Sequence, residues 1–281
     1  MSGYEPYSTD PKLKYIQLYA YGHLKESKVL KLSLIPERLY RFQPPYKNRL
    51  KTLRNKQLFL SSSSKYDDPF DMNGFFFDPA KVSKELNVSA LLVREQLAEK
   101  LKESVQSLPS VCFSEEISNL PLWASYAKNY EGFAIGYDFR SVNSDGSIVD
   151  NLFPIYYKNT RIDLTSHVVD LLRNIEKISD GTITGNHMLE AVFFFINFLK
   201  HKDWEYQKEW RLINVHDQEV ISGVIPTDIY IGYRSSESTR KRLRNIAKRI
   251  GCNCFMMTKT NLVDSEYKLR FEKVEESRGD S

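Results

Sequence analysis

Seven stretches of the chain alternate polar with apolar residues or are rich in β-branched and aromatic side chains. They are "RLYRFQ" (38–43), "QLFLSSS" (57–63), "SVCFSE" (110–115), "GFAIGYDF" (132–139), "LFPIYYK" (152–158), "EYQKEWRLINV" (205–215) and "DIYIGY" (228–233). That period of two, with those residue types, predicts strands. Between them the spacing turns helical. "NRLKTLRN" (48–55) joins the first two strands, and 81–108 is long and amphipathic. "DLTSHVVDLLRNIEKI" and "NHMLEAVFFFINFLK" follow, the latter with "FFFINF" as a buried helix. A last helix over 235–250 opens on a serine cap with Glu237 in its first turn. Strands and helices interleave but differ in length. The pattern therefore predicts an α+β fold, with a mixed, mostly antiparallel central sheet and a helical insertion, rather than a doubly wound parallel sheet.

No repeat or low-complexity linker divides the chain, so 1–281 is expected to be one domain. Its first sheet strands lie in 38–80, its helical insertions in 81–108 and 160–201, and its polar-striped strand and basic C-terminal helix in 203–281. At 41% hydrophobic and 27% charged, with 17 Tyr and 16 Phe, the composition suits a soluble protein with a sizeable core. A net charge of +4 is too small to imply a nucleic-acid partner by itself. Cys112, Cys252 and Cys254 show neither a disulfide framework nor zinc spacing. The polar N-terminus reads as neither signal peptide nor lipidation site, and the longest apolar run, "AVFFFINFL" (191–199), is too short to span a bilayer. A cytoplasmic protein without a membrane partner is expected.

Phosphate loops, dinucleotide fingerprints, zinc helices and nucleophile elbows are missing from the sequence. The five histidines are scattered as surface or core residues would be. On a strand over 205–215, Gln207, Glu209 and Arg211 share one face, opposite Tyr206, Trp210 and Leu212. That stripe is either a solvated face carrying a Glu209–Arg211 ion pair or the wall of a pocket. Arg41 points away from the face of Tyr40 and Phe42. Ser62 or Ser64 continues the face of Leu58 and Leu60, and Ser61 and Ser63 the other. Asp67, Asp68 and Asp71, around Pro69, fit a capped turn, or with Glu115 a metal-dependent nuclease or hydrolase. Trp123 and Tyr126 fit core packing, or the stacking wall of a pocket. Cys112 fits a buried thiol. Arg240, Lys241, Arg242, Arg244, Lys248 and Arg249 form either a solvated helix face or a phosphate grip in a nucleic-acid-binding defence module.

A basic residue, a serine cluster and a Gln-x-Glu stripe on three successive predicted strands resemble the ADP-ribosyltransferase superfamily in its Arg–Ser–Glu variant. "LYRF…NRLKTLRNKQLFLSS" looks like the opening of its DNA-modifying members. More of the chain, roughly 38–250, is similar to the bacterial "domain of unknown function 2971" family. The similarity rests on "LYRF", "DDPFD", "CFSE", "LWASYA", "GFAIGYD", "DWEYQKEWRLI" and "IYIGYR". The first resemblance implies an enzyme that cleaves NAD as substrate, of toxin or antiviral-defence type, modifying a nucleic acid or protein and held in check by an inhibitory partner or antitoxin. It implies catalytic roles for Glu209, Gln207 and Arg41. It implies NAD contacts from Arg41, Ser62, Ser63, Trp123, Tyr126 and Arg211, and no metal.

Overall fold

The computed structural model describes residues 7–20, 22–62, 66, 68, 70–71, 73–89, 91, 93, 95, 109–141, 147–173, 197–213, 219–258, 265 and 267–275. Two helices open it, α1 (Pro11–Ala20) and α2 (Leu24–Leu34), although their sequences are only weakly amphipathic. Next come β1 (Leu39–Gln43), α3 (Lys47–Arg54), β2 (Gln57–Phe59), β3 (Ser61–Ser62), β4 (Phe75–Phe76) and α4 (Pro79–Leu86). Then follow β5 (Pro109–Ser114), α5 (Leu120–Ser125), β6 (Phe133–Tyr137), α6 (Ser147–Asp150), β7 (Leu152–Pro154), β8 (Tyr156–Lys158), β9 (Ile162–Asp163) and α7 (Thr165–Arg173). The last part holds β10 (Leu199–His201), β11 (Glu209–Ile213), β12 (Val220–Ser222), β13 (Pro226–Ile231), α8 (Glu237–Ile250), β14 (Asn253–Thr258) and β15 (Arg270–Lys273).

The architecture is mixed α/β with a mostly antiparallel central sheet. Its strand order is β15-β14-β13-β6-β1-β5-β11-β7, with β3 attached to β5. Among the described residues only β13 and β14 run parallel in this sheet, and α8 is the crossover that parallel pairing demands. Ser236 caps α8 by accepting from the Thr239 amide, as the sequence predicts, and Gly251 ends it at φ 75°.

The two sheet faces bury different residues. Phe133, Ile135, Val111, Phe113, Trp210 and Leu212 pack with Leu50, Leu53, Leu243 and Ile246 of α3 and α8 in the main core. Phe42, Ala134, Leu122 and Trp123 make a second core on the other side. The alternation read from the sequence thus sorts both faces of β5 and β6.

Three expectations need correction. The strand expected over 205–215 begins only at Glu209, because 202–207 winds as a 3-10 turn. At the end of the helical pattern expected over 186–200, Leu199 and Lys200 instead belong to β10, which pairs with β8 in parallel. The run 152–158 is split into β7 and β8, which join different sheets. Of the helix expected over 81–108, its start lies within α4 and most of the rest lies outside the described residues.

Candidate functional site

Register decides where a cavity opens. β1 pairs with β5 at one position, Tyr40 with Ser114, while β3 takes the other end of the same edge through Ser61–Ser110 and Ser62–Pro109. Between these contacts the two strands of β1 and β5 part. A cavity of about 280 Å³ lies at that fork, lined among others by Arg41, Phe42, Ser61, Ser110, Cys112 and Ser114. Tyr66, Asp68, Asp71, Tyr126, Lys200, Trp204, Gln207 and Glu209 complete much of its wall.

On its far side β5 pairs with β11, Ser114 opposite Glu209 and Cys112 opposite Arg211. Tyr40, Ser114 and Glu209 are therefore aligned on one pleat face. Arg41, one residue on from Tyr40, lies on the opposite pleat face and meets the cavity because β1 leaves β5 there. Its Nη2 donates to the Phe59 carbonyl at 2.7 Å, and burial lowers its pKa. Arg49 of α3 also lines the cavity and sits over the Phe59 ring at 5.3 Å. Neither arginine makes an ion pair among the described residues.

Glu209 and Arg211 form a buried ion pair, not a solvated one. Glu209 is 3% exposed and Arg211 0%. Arg211 donates to Glu209 Oε1 from Nε at 3.0 Å and Nη2 at 2.8 Å, to Asp71 Oδ2 at 3.0 Å, and to the Asn197 carbonyl at 2.9 Å. Lys200 Nζ donates to Glu209 Oε2 at 2.9 Å and Gln207 Oε1 at 2.8 Å, and lies 3.2 Å from Asp71. Two acids and two bases thus alternate, which is what lets four charges be buried together. Burial alone would raise the Glu209 pKa, but Arg211 and Lys200 outweigh it and hold the carboxyl below its usual range. The same two carboxylates offset the burial of Lys200 and keep it protonated.

Asp68 is different. Its Oδ1 accepts from the Phe70 amide at 2.9 Å, the turn chemistry expected of Asp beside Pro. Its Oδ2 is buried without a hydrogen-bond partner among the described residues, and burial raises its pKa. Cys112 is pushed up to about 12 by burial and by Glu209, so it is held as a thiol, not a nucleophilic thiolate.

Several candidates fall elsewhere. Trp123 is fully buried in the second core, with Nε1 donating to the Ile117 carbonyl at 2.7 Å, and does not line the cavity. Tyr126, one helical turn on and 40% exposed, does. Ser61, not Ser62, borders the cavity, because it sits opposite Ser110 on β5 and Ser62 alternates away. Ser63 and Asp67 lie outside the described residues. Arg211 sits behind Glu209 rather than in the wall. Glu115 is held by Lys12 and the Trp210 indole, each at 2.7 Å, away from Asp68 and Asp71. Glu115 thus stands apart from the two described aspartates of the nuclease reading, and no cluster able to hold a metal is found among the described residues.

Lys200 and the serines of β5 carry no advance signal. Lys200 ends an apolar run that resembles a core helix, and Ser110 and Ser114 look like ordinary alternating strand positions. Only the register exposes them.

A family model described as "Protein of unknown function (DUF2971)" matches residues 122–212. The chain is similar to that family over this span. The DUF2971 match begins in α5 and ends in β11, so it contains Lys200, Gln207, Glu209 and Arg211, while Arg41, Asp68 and Asp71 precede it. No curated protein and no solved structure matches the chain. No helix among the described residues is long and apolar enough to cross a membrane.

Proposed function

We propose that the fork cavity binds NAD and that the protein breaks its nicotinamide–ribose bond, as an ADP-ribosyltransferase-like enzyme or an NAD glycohydrolase. The observation carrying this reading is the adjacency β1-β5-β11. It brings an arginine strand, a serine-bearing strand and a Gln-x-Glu segment around one cavity. The serine role in the resemblance passes from the 61–64 cluster to Ser110 and Ser114, because β5 is the strand lying between Arg41 and Glu209. An ADP-ribosyltransferase type of fold is part of the same proposal.

Arg41 and Arg49 are the cavity's cations without a carboxylate partner among the described residues, and they suit a pyrophosphate through charge-assisted bonds. Tyr40, Phe42, Tyr126 and Trp204 supply aromatic surface for a ring. When the C1′–N bond breaks, the electron pair leaves with neutral nicotinamide and positive charge develops on the ribose. Glu209, ionised throughout the working range, stabilises that charge, and Gln207 orients the acceptor. The acceptor's oxygen or nitrogen attacks C1′ and gives its proton to Asp68, the carboxylate oxygen left without a partner. Water as acceptor gives hydrolysis. A nucleic-acid or protein nucleophile gives transfer, with an inhibitory partner to restrain it.

The test is release of free nicotinamide from NAD by the purified protein, beside Asp68→Asn. Wild type should release nicotinamide, with its rate falling as pH drops through the pKa of Asp68, which burial raises, since Asp68 must be deprotonated to act as base. Asp68→Asn should lose about 100-fold or more of the rate without losing stability, because it removes a buried charge and keeps an oxygen to accept from the Phe70 amide. No nicotinamide release and no NAD binding by the wild type would overturn the reading.

A further inference from the structure

We propose that the groove between α3 and α8 binds the phosphodiester backbone of nucleic acid. This groove, about 470 Å³, lies outside the fork cavity. Leu50, Asn245 and Ile246 line it together with five cations: Lys47, Lys51 and Arg54 from α3, and Arg242 and Arg249 from α8. No acidic residue among the described residues lines it.

The charge here is not ordinary surface noise. The five cations exceed the net charge of the whole chain, +4, so positive charge is concentrated on this face. None of the five makes an ion pair among the described residues, whereas Arg240 and Arg244, elsewhere on α8, pair with Glu237. Helix stability explains part of the set: Lys51, Arg54 and Arg249 occupy last turns, where the helix dipole favours cations. It does not explain Lys47, which opens α3 where a cation is unfavourable and where no acid is present, nor Arg242 in the middle of α8. Like charges gathered without counter-charges repel one another, and a polyanion relieves the repulsion while releasing its own counterions. The phosphodiester backbone has the regular charge spacing to meet two cationic helix faces at once. Arg49 of the same α3 lines the fork cavity, so a strand held in the groove runs beside the cavity's wall. The binding itself does not depend on the NAD reading.

The test is fluorescence anisotropy of labelled mixed-sequence oligonucleotides, single-stranded and duplex, across a salt series starting at about 50 mM. Engagement of all five cations predicts a slope of log affinity against log salt of about −4.5 for duplex or −3.5 for single strands. Lys47→Glu with Arg242→Glu should reduce the slope by about 2 and affinity by at least about tenfold. Both residues are exposed, and an acid at the start of α3 suits the helix dipole, so the melting temperature should not fall. Absence of binding at the lowest salt would overturn the proposal. So would unchanged affinity and slope in the folded double variant, or binding to phosphatidylserine vesicles without binding to either oligonucleotide.

Discussion

Glu209 shows how much a residue's meaning depends on its surroundings. As an exposed pair with Arg211 it would contribute less than about 1 kcal/mol. In the fold it is one corner of a buried four-charge arrangement with Arg211, Lys200 and Asp71. Glu209→Gln leaves two cations sharing one carboxylate, and we expect a loss of about 3–5 kcal/mol of stability by urea unfolding. Adding Lys200→Met restores charge balance and should recover at least half of that loss. A single variant within about 1 kcal/mol of wild type would show that the arrangement does not hold β11. Because the substitution affects stability, loss of NAD cleavage in Glu209→Gln alone does not establish catalysis, and Asp68→Asn carries that weight. Alternation along the sequence correctly puts Glu209 and Arg211 on one face. Their partners Lys200 and Asp71 come from distant segments, with Asp71 140 positions from Arg211.

At the scale of elements, the segment before β11 is the instructive one. "WEYQ" alternates aromatic with polar residues and so imitates a strand, yet 202–207 forms a 3-10 turn. Lys208 then takes the left-handed region at φ 44°, ψ 54° before the strand begins. Its carbonyl accepts from the Glu115 amide at 3.0 Å, and Asn119 donates to the Tyr206 carbonyl. The turn is thereby tied to β5 and α5, and Gln207 reaches Lys200 from its end. Lys208→Val should cost about 2 kcal/mol, because a β-branched residue is strained at positive φ. Lys208→Gly should melt at or above the wild-type temperature. Calorimetry on the pair decides: a valine variant as stable as the glycine one would mean that the left-handed turn is dispensable.

The whole molecule holds its thiols neutral. Burial pushes Cys112 and Cys252 up to about 12 and Cys254 up to about 11 from a usual value of 9.0. Their folded pKa values lie above the unfolded ones. The stability they provide is therefore complete below pH 9 and declines as pH rises toward 11–12. Lys31, lowered by burial to about 8 while donating to the Val149 and Asp150 carbonyls, acts in the opposite sense between about 8 and 10.5. Three thiols, joined by buried tyrosines such as Tyr137 and Tyr157 whose pKa burial also raises, outweigh one amine. The melting temperature should fall steadily from pH 9 to 11. Stability rising across that window would contradict the assignment.

Much of the fold is legible locally. The strands over β1, β5, β6 and β13, the helices α3 and α8, and the serine cap of α8 follow from period and capping residues. Which side chains face inward along one element is decided by that element's own repeat. The two helices before β1 are less legible, since their amphipathicity is weak, and β14 and β15 find their places at the sheet edge only through pairing. The site is hardly legible at all. Sequence determined that Arg41, Gln207, Glu209 and Arg211 are polar where a core would be apolar. Only tertiary structure decided that β1 parts from β5 after one paired residue, that Lys200 and Asp71 neutralise the pair on β11, and that Trp123 belongs to the core while Tyr126 borders the cavity. Those outcomes depend on which distant strands become neighbours and in what register, and that is set by the packing of the whole chain rather than by any local pattern.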